Sequence, residues 1–521
     1  MEKLPIGIQN FEKLRGEGYA YVDKTASIYN IAKGGVCIFL SRPRRFGKSL
    51  LLSTFRAYFE GKRHLFEGLA IAQLEQEWKS YPVLYLDLNT GKYDTKESLD
   101  ERLANNLSLW EKTYQVDSNA VQSVATRFEN VIRAAHELTR EKVVVLVDEY
   151  DKPLLQAINN EPLQADFRNT LKSFYGNLKS CDEHIRFAML TGVTKFSHIS
   201  IFSDLNNLQD ISLDARYADI CGLTADEIAQ TFDGYLEAFA QKEGSDKATI
   251  MRQMKQMYDG YHFSENMTKD MYNPFSVLNA LSEQKFRNFW FSSGTPTFLV
   301  KLLQNGDYRL QDFTQGDIIA SDLSGKGNLI SEPIALFYQT GYLTIKGYNK
   351  EFGSYRLGFP NMEVERSFLN FLLPRYVGTT DNRSAYFVET FVNSLRQGNV
   401  EAFMEGMRTF FADTPYELVK DLENHYQNVM FTICRLMGYH TVAEYRTSQG
   451  RIDMVVQTNS YTYVFEFKFG KTADEALRQI DTKDYMLPFA ANGTHLMKVG
   501  VNFSKETRNI DDYVWKNDYV G

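Results

Sequence analysis

Two clusters in this 521-residue chain have residue types and spacings suited to phosphoryl chemistry. In the first, Ser41-Arg42-Pro43-Arg44-Arg45-Phe46-Gly47-Lys48-Ser49 follows a short apolar run and precedes the helical pattern Leu50–Phe59. A tight loop between strand and helix aims backbone N–H groups and a helix N-terminus at phosphates, so Arg44, Arg45, Phe46, Gly47, Lys48 and Ser49 are expected to bind a nucleotide. In that geometry Lys48 reaches the β/γ-phosphates and the Ser49 hydroxyl ligates Mg²⁺. Arg42 stands where a G-x-x-x-x-G-K-[ST] loop has its first glycine, and Arg42, Arg44 and Arg45 can either neutralise phosphate charge or pair with acidic residues elsewhere.

A second element supports the first. Val143-Val144-Val145-Leu146-Val147 ends in Asp148-Glu149, and carboxylates at the end of a buried strand are what a Mg²⁺-nucleotide site needs. Asp148 would hold the ion, and Glu149 would polarise the attacking water as the catalytic base. Thr191, at the end of a further apolar run, is placed to sense the γ-phosphate. Asp151 is either a third acid of this site or the cap of the next helix. The plain alternative is that Gly47-Lys48 turns a strand into a helix and Asp148-Glu149 caps the next element.

The second cluster is Asp453 together with Glu466-Phe467-Lys468. Strand side chains alternate, so Glu466 and Lys468 share a face and Phe467 points to the other. A hairpin brings Asp453 beside them. Two carboxylates bind a hard divalent ion, Mg²⁺ or Mn²⁺, and a lysine orients water or stabilises a pentavalent phosphate; that is the equipment of metal-assisted phosphodiester hydrolysis. Asp453, Glu466 and Lys468 are therefore the expected catalytic residues, with Asp453 and Glu466 as metal ligands and Glu423 on the preceding helix as a further candidate ligand. Glu444 either joins them or faces solvent. Glu-x-Lys also occurs at Glu60-Gly61-Lys62, Glu77-Trp78-Lys79 and Glu283-Gln284-Lys285, so the hairpin gives the C-terminal copy its weight. Without a metal role it is a surface ion pair worth at most about 1 kcal/mol.

These residues require an α/β scaffold. Apolar runs at Val36–Leu40, Pro82–Leu88, Val143–Val147, Ile185–Leu190 and Ala218–Gly222 alternate with helical stretches, the pattern of a parallel sheet covered on both faces. Residues 223–410 read as mostly helical, as at Glu227–Phe239 and Glu363–Leu373, with a small β element at Gly341–Leu357. From about Leu418 the order becomes α-β-β-β-α-β: a helix to Met437, strands Thr441–Tyr445, Arg451–Val456 and Tyr461–Phe469, a helix Ala473–Tyr485 and a strand Leu496–Phe503. The expected domains are 1–222, 223–410 and 411–521, in line with about three domains for this length.

Composition sets the outer bounds. Hydrophobic residues at 43% and charged residues at 24% exclude disordered and fibrous classes. The formal charge of −8 argues against a chain that coats nucleic acid through bulk positive charge, yet residues 1–60 hold ten Lys/Arg against five Asp/Glu. That local excess reports an anion site at the arginine-rich loop. No apolar run approaches membrane-spanning length, and the start has no apolar core of a signal peptide. Cys37, Cys181, Cys221 and Cys434 form no C-x-x-C pair, and free thiols fit a reducing cytoplasm.

Several motifs in order carry a family resemblance. Tyr21-Val22-Asp23-Lys24-Thr25, the Arg42–Ser49 loop, Asp148-Glu149-Tyr150-Asp151-Lys152-Pro153-Leu154, Leu190-Thr191-Gly192, Ile201-Phe202-Ser203-Asp204-Leu205-Asn206-Asn207-Leu208, Tyr258-Asp259-Gly260-Tyr261 and Tyr272-Asn273-Pro274-Phe275 resemble the bacterial AAA-ATPase-like family over roughly residues 5–300. In that family Arg-Pro-Arg-Arg-Phe-Gly-Lys is the ordinary loop, so the resemblance implies ATP binding despite the missing glycine. Read from chemistry alone, Tyr258-Asp259-Gly260-Tyr261 is a turn with packed tyrosines. Gly450-Arg451-Ile452-Asp453, Glu466-Phe467-Lys468 and Gln479-Ile480, with Tyr485 on the same helix as Gln479, resemble the PD-(D/E)XK nuclease superfamily over roughly residues 415–505, Ile452 replacing its proline. The resemblance implies an N-terminal P-loop ATPase, a helical connector or lid, and a C-terminal Mg²⁺-dependent nuclease acting on DNA more readily than RNA, in defence or DNA processing, with self-association open. The alternative is a non-cleaving, nucleotide-dependent switch whose degenerate nuclease fold binds nucleic acid or a protein.

Overall fold

The computed structural model describes residues 1–116, 122–195, 202, 205, 207–290, 318–321, 323, 333–377, 381–412, 422–436, 440–490, 493–504 and 506–518, apart from some side chains within 372–388 and 422–440. The chain divides into two compact units, Met1–Leu302 with Ile318–Glu363, and Leu303–Asp317 with Val364–Gly521.

The first unit is built on strands β1 (Cys37–Ser41), β2 (Val83–Asp87), β3 (Val143–Asp148), β4 (Ile185–Gly192) and β5 (Leu208–Asp210), in the order β2-β3-β4-β1-β5. All four pairings are parallel. β1 and β3 are buried along their whole length, which explains their unbroken apolar spelling. On one face Val143, Val145 and Val147 join Leu103, Leu107, Phe128, Phe167 and Phe174 of the helices Lys96–Tyr114, Val124–Thr139 and Glu161–Ser180. On the other, Phe55 and Phe59 of helix Lys48–Phe59 pack on Phe187 with ring centroids 5.3 and 5.0 Å apart.

The expected strand at Ala218–Gly222 does not form. A short helical turn, Ala215–Tyr217, occupies the approach, Leu223 makes one isolated bridge to Tyr272, and the fifth strand is Leu208–Asp210. Apolar content at 218–222 marks burial in a loop, which periodicity cannot distinguish from a short strand. The stretch Glu227–Phe239 is two helices, Ala225–Thr231, opened by a Thr224/Glu227 capping box, and Asp233–Glu243, separated at the buried Phe232. These helices belong to the first unit with the sheet. So does a small antiparallel sheet of β6 (Ile318–Ala320), β7 (Thr344–Asn349) and β8 (Ser354–Gly358), in the order β6-β8-β7, which accounts for the β signal at Gly341–Leu357.

The second unit holds helix Leu422–Leu436, strands β9 (His440–Thr447), β10 (Gly450–Gln457) and β11 (Tyr461–Phe469), helix Ala473–Thr482, and strands β12 (His495–Ser504) and β13 (Asn509–Asp518). The sheet order is β13-β12-β11-β10-β9. β9, β10 and β11 form an antiparallel meander, and the crossover helix Ala473–Thr482 makes β12 parallel to β11. The α-β-β-β-α-β order is present, and β13 is an addition that composition hid: Asp511, Asp512, Lys516 and Asn517 are exposed, and acids are depleted in strands. The helix expected to reach Tyr485 ends at Thr482. All four cysteines are buried and unpaired, and among the described residues no helix is long and apolar enough to cross a membrane.

Gly500 fixes how closely the crossover helix approaches the sheet. It pairs with Glu466, and a Cβ there would lie 2.4 Å from the Ala473 carbonyl oxygen and 2.8 Å from the Leu477 nitrogen. Because both obstacles are backbone, Gly500→Ala is expected to destabilise the second unit by about 1–3 kcal/mol, read as a lower midpoint in chemical denaturation.

Candidate active sites

The phosphate loop is shaped by two left-handed residues, Arg45 (φ 69°) and Gly47 (φ 97°), which turn the chain from β1 into the helix beginning at Lys48. Glycine adopts that conformation without the Cβ penalty, which explains why Gly47 precedes the lysine. Lys48 is 4% exposed, and its ammonium donates to the carbonyls of Arg42 (3.1 Å) and Pro43 (3.3 Å) and lies 3.4 Å from Glu149 Oε1. A buried ammonium held by two neutral carbonyls and one carboxylate is poised to exchange them for phosphate oxygens.

Asp148 ends β3, is buried, and accepts from Thr191 Oγ1 at 2.8 Å and from the Ser49 hydroxyl. Burial pushes its carboxyl above the ordinary range despite those donors, with Glu149 adding repulsion. A carboxylate short of compensating charge beside a loop hydroxyl fits Mg²⁺, which characteristically takes one or two protein ligands and completes its shell with water and substrate phosphates. Ser49, Asp148 and Glu149 are thus brought together as expected. Thr191 reaches Asp148, so it orients that carboxylate.

Glu149 has a left-handed backbone, φ 52°, unusual for a residue with a side chain. Its neighbours hold it there. Tyr150 N–H donates to Thr191 O at 3.0 Å and its hydroxyl to Thr194 O at 2.8 Å. Asp151 is fully buried and accepts from Val193 N (3.1 Å), Thr194 N (2.6 Å) and Thr194 Oγ1 (2.6 Å). Asp151 occupies the N-cap position of helix Lys152–Gln156, but its side chain makes no capping bond. It clamps the segment after β4 instead.

The arginines diverge. Arg42 is 1% exposed, donates to the carbonyls of Ser41, Ser212 and Tyr217, and stacks on Phe263 at 4.2 Å. It is therefore a structural brace, and its expected part in neutralising phosphate is corrected. The Phe46 side chain is buried against Tyr261 and Phe263, at 4.8 and 5.3 Å, which leaves its main chain to face a ligand. Arg44 and Arg45 are exposed, Arg45 lying 4.7 Å over the Phe275 ring.

A cavity of about 370 Å³ opens at the loop, and its lining includes the polar Lys48, Ser49 and Glu149 and the apolar Ile6, Ile8, Phe275 and Leu278. Polar lining of this kind suits phosphates and apolar lining a nucleoside. Sequence reasoning missed the apolar lining. Its signal was Asn273-Pro274-Phe275, where Asn273 caps helix Pro274–Glu283 by accepting from Ser276 N at 3.1 Å. Nothing in Pro5–Ile8 marked it as part of a site. Of the motif Ile201–Leu208, residues 201, 203, 204 and 206 lie outside the described residues.

In the second unit Met454 pairs with Phe465, which sets Asp453 opposite Glu466. Asp453 Oδ2 accepts from the Phe467 amide at 2.7 Å. Lys468 donates to Glu466 Oε1 at 2.9 Å and to Gln479 Oε1 of the crossover helix at 2.8 Å. Glu466 is 2% exposed, and its Oε2 is buried with no hydrogen-bond partner among the described residues. Burial first, and then Asp453, push its carboxyl up to about 7. An orphaned carboxylate oxygen beside a second carboxylate fits a divalent cation that would supply the missing charge. Among the described residues no group of three His, Cys, Asp or Glu converges on one point, and Asp453 and Glu466 are the two carboxylates brought together. The Glu423 side chain lies outside the described residues. Glu444 pairs with Arg451 at 2.9 Å. Tyr485, beyond the helix, is buried with its hydroxyl against Gly450, where a Cβ would sit 2.6 Å from it.

Two domain types therefore stand in one chain: a P-loop ATPase-like sheet with its phosphate loop, and a nuclease-like sheet with its carboxylate-lysine cluster. The family model described as "Predicted AAA-ATPase" matches residues 5–202, and that of the PD-(D/E)XK nuclease superfamily matches residues 421–513. The "Uncharacterized protein in vnfD 5'region" of Azotobacter chroococcum mcd 1 is 36% identical over 530 residues, spanning 98% of each chain. The chain belongs to the family of that protein, the AAA-ATPase-like proteins with a C-terminal PD-(D/E)XK nuclease superfamily domain. Among solved structures, the Aeropyrum pernix ORC2 protein aligns at TM-score 0.27 and 11% identity over 67% of this chain and 89% of its own. The Aeropyrum pernix ORC1 protein aligns at 0.24 and 10% over 66% and 90%. Scores this low bear on the function of neither unit.

Glu466 gives a pH prediction. Its folded pKa lies above that of an exposed glutamate, so between about 4.5 and 7 the folded state holds a proton that the unfolded state has lost, and rising pH through that window weakens the metal-free fold. A cation needs the deprotonated form. Mn²⁺ affinity measured by calorimetry is expected to rise about fivefold between pH 6 and 7 as the deprotonated fraction grows, and Glu466→Gln is expected to abolish both affinity and its pH dependence.

Proposed function

We propose that the chain is an ATP-hydrolysing protein whose nucleotide state gates a Mg²⁺-dependent nuclease acting on DNA. The reading is carried by the buried Glu466 Oε2, which has no hydrogen-bond partner among the described residues and lies on a carboxylate beside Asp453 and a lysine-glutamine pair. Leaving one oxygen of a buried carboxylate without a donor costs on the order of 1–3 kcal/mol, which a bound cation would offset. At the other site Lys48 and the loop amides bind the ATP phosphates, Ser49 and Asp148 hold Mg²⁺, Thr191 orients Asp148, and Glu149 accepts the proton of the attacking water. The bound ion supplies Lewis-acid stabilisation of phosphate charge. In the second unit Asp453 and Glu466 hold Mg²⁺ or Mn²⁺, while Lys468, kept in place by Gln479, orients the nucleophilic water or steadies the charged phosphate. The four unpaired cysteines agree with a cytoplasmic setting, and defence against foreign DNA or its processing is the role this pairing of domains suggests.

The test is cleavage of linear and circular DNA, and of RNA, with Mg²⁺ or Mn²⁺ and with or without ATP. Asp453→Ala should abolish cutting while ATP hydrolysis continues. Glu149→Gln should slow hydrolysis by about 10²–10⁴-fold, and Lys48→Ala should prevent nucleotide binding and remove the ATP dependence of cutting. A wild-type protein that hydrolyses ATP but cuts no nucleic acid would sink the nuclease reading and leave a nucleotide-dependent binding switch.

A further inference from the structure

The peptide units of Arg42, Pro43 and Arg44 are gripped from two sides. Lys48 donates to the carbonyls of Arg42 and Pro43, at 3.1 and 3.3 Å, and the Trp290 indole N–H donates to the carbonyl of Arg44 at 3.1 Å. Trp290 is itself fixed. Its ring meets Tyr342 edge to face at 5.2 Å, and a Cβ on Gly341 would fall 2.7 Å from Pro43 Cβ and 3.4 Å from the indole. Its backbone N–H donates to Glu363 Oε1 at 2.7 Å, and the other oxygen of that carboxylate accepts from Ser276 Oγ, also at 2.7 Å. Ser276 lies on helix Pro274–Glu283, whose Phe275 and Leu278 line the nucleotide cavity.

Glu363 is 1% exposed and lies in the first turn of helix Met362–Val377. Trp290, Glu363 and Ser276 thus join the back of the phosphate loop, the apolar lining of the cavity and the first turn of that helix through a chain of hydrogen bonds. Such bonds are directional and buried, so a shift of the loop cannot be absorbed by sliding as an apolar contact would allow.

We propose that Trp290 and Glu363 are positioning residues that carry nucleotide occupancy of the phosphate loop to the first turn of helix Met362–Val377. The proposal rests on the ATP-binding reading above. When Lys48 turns to the phosphates, the Arg42 and Pro43 carbonyls lose their donor, and the Arg44 carbonyl, still held by Trp290, becomes the point through which the loop's displacement is passed to Glu363.

The experiment uses the full chain, Mg²⁺ and a non-hydrolysable ATP analogue, with hydrogen exchange of residues 362–366 as the readout and analogue binding measured in parallel. In wild type, binding is expected to change exchange at 362–366. Trp290→Phe, which keeps a ring but removes the N–H, and Glu363→Gln are expected to bind the analogue with an affinity loss below about tenfold, while the nucleotide-dependent change shrinks by about twofold to thirtyfold. A merely structural role would raise exchange equally in free and bound protein and leave the difference intact; that outcome overturns the proposal, as does a wild type that binds the analogue without any change at 362–366. If wild type binds no nucleotide, the binding arm shows that the ATP reading itself has failed, and the proposal falls with it. Should Glu363→Gln not fold, Trp290→Phe and Ser276→Ala give the same decision.

Discussion

A carboxylate taken out of water must be paired, hydrogen-bonded or protonated, and both units are organised around one that is incompletely compensated. Asp148 is buried at the end of β3 and Glu466 within β11, and in each case burial is the leading cause of the upward shift of the carboxyl. Each has one cationic neighbourhood nearby, Lys48 for the first and Lys468 for the second, and neither lysine neutralises the site fully. An added divalent cation would complete both, so the two sites pose the same electrostatic problem although their sheets differ.

The scaffolds meet this constraint differently. In the first unit the parallel sheet delivers the loop after β1, the carboxylate ending β3 and the threonine of β4 to one edge, because parallel strands end together. In the second unit the antiparallel register of β10 and β11 sets Asp453 against Glu466, and Gly500 lets the crossover helix approach closely enough for Gln479 to hold Lys468. Helix and strand each contribute one polar end to a lysine that would otherwise have only its carboxylate partner.

The residues beside the first site have a supporting part. Glu149 is held in a left-handed conformation while Tyr150 and Asp151 bond the segment after β4. Strain of this kind costs on the order of 1–3 kcal/mol and persists only where the surroundings enforce it. The run Asp-Glu-Tyr-Asp therefore divides its work: Asp148 meets Ser49 and Thr191, Glu149 faces Lys48, and Tyr150 and Asp151 fix the backbone that aims it.

Sequence alone determined four strands of the parallel sheet, the hairpin, the loop and the candidate side chains, since these follow from local rules: unbroken apolar runs for buried parallel strands, alternation for the hairpin, and Gly-Lys-Ser where a strand turns into a helix. Asp148, Glu149, Asp453, Glu466 and Lys468 were all legible from types and spacing. Tertiary structure decided what depends on partners far along the chain. It turned Arg42 inward onto carbonyls of Ser212 and Tyr217, 170 and 175 residues away, sent the Phe46 ring into an aromatic cluster, and placed Thr191 on Asp148. It replaced the strand at 218–222 with Leu208–Asp210 and added the polar edge strand Asn509–Asp518, held by its ladder to β12. The apolar lining of the cavity, from Ile6 and Ile8 to Phe275 and Leu278, likewise exists only once those segments meet. Periodicity records whether a residue is buried and on which face; it carries no record of the long-range partner that buries it.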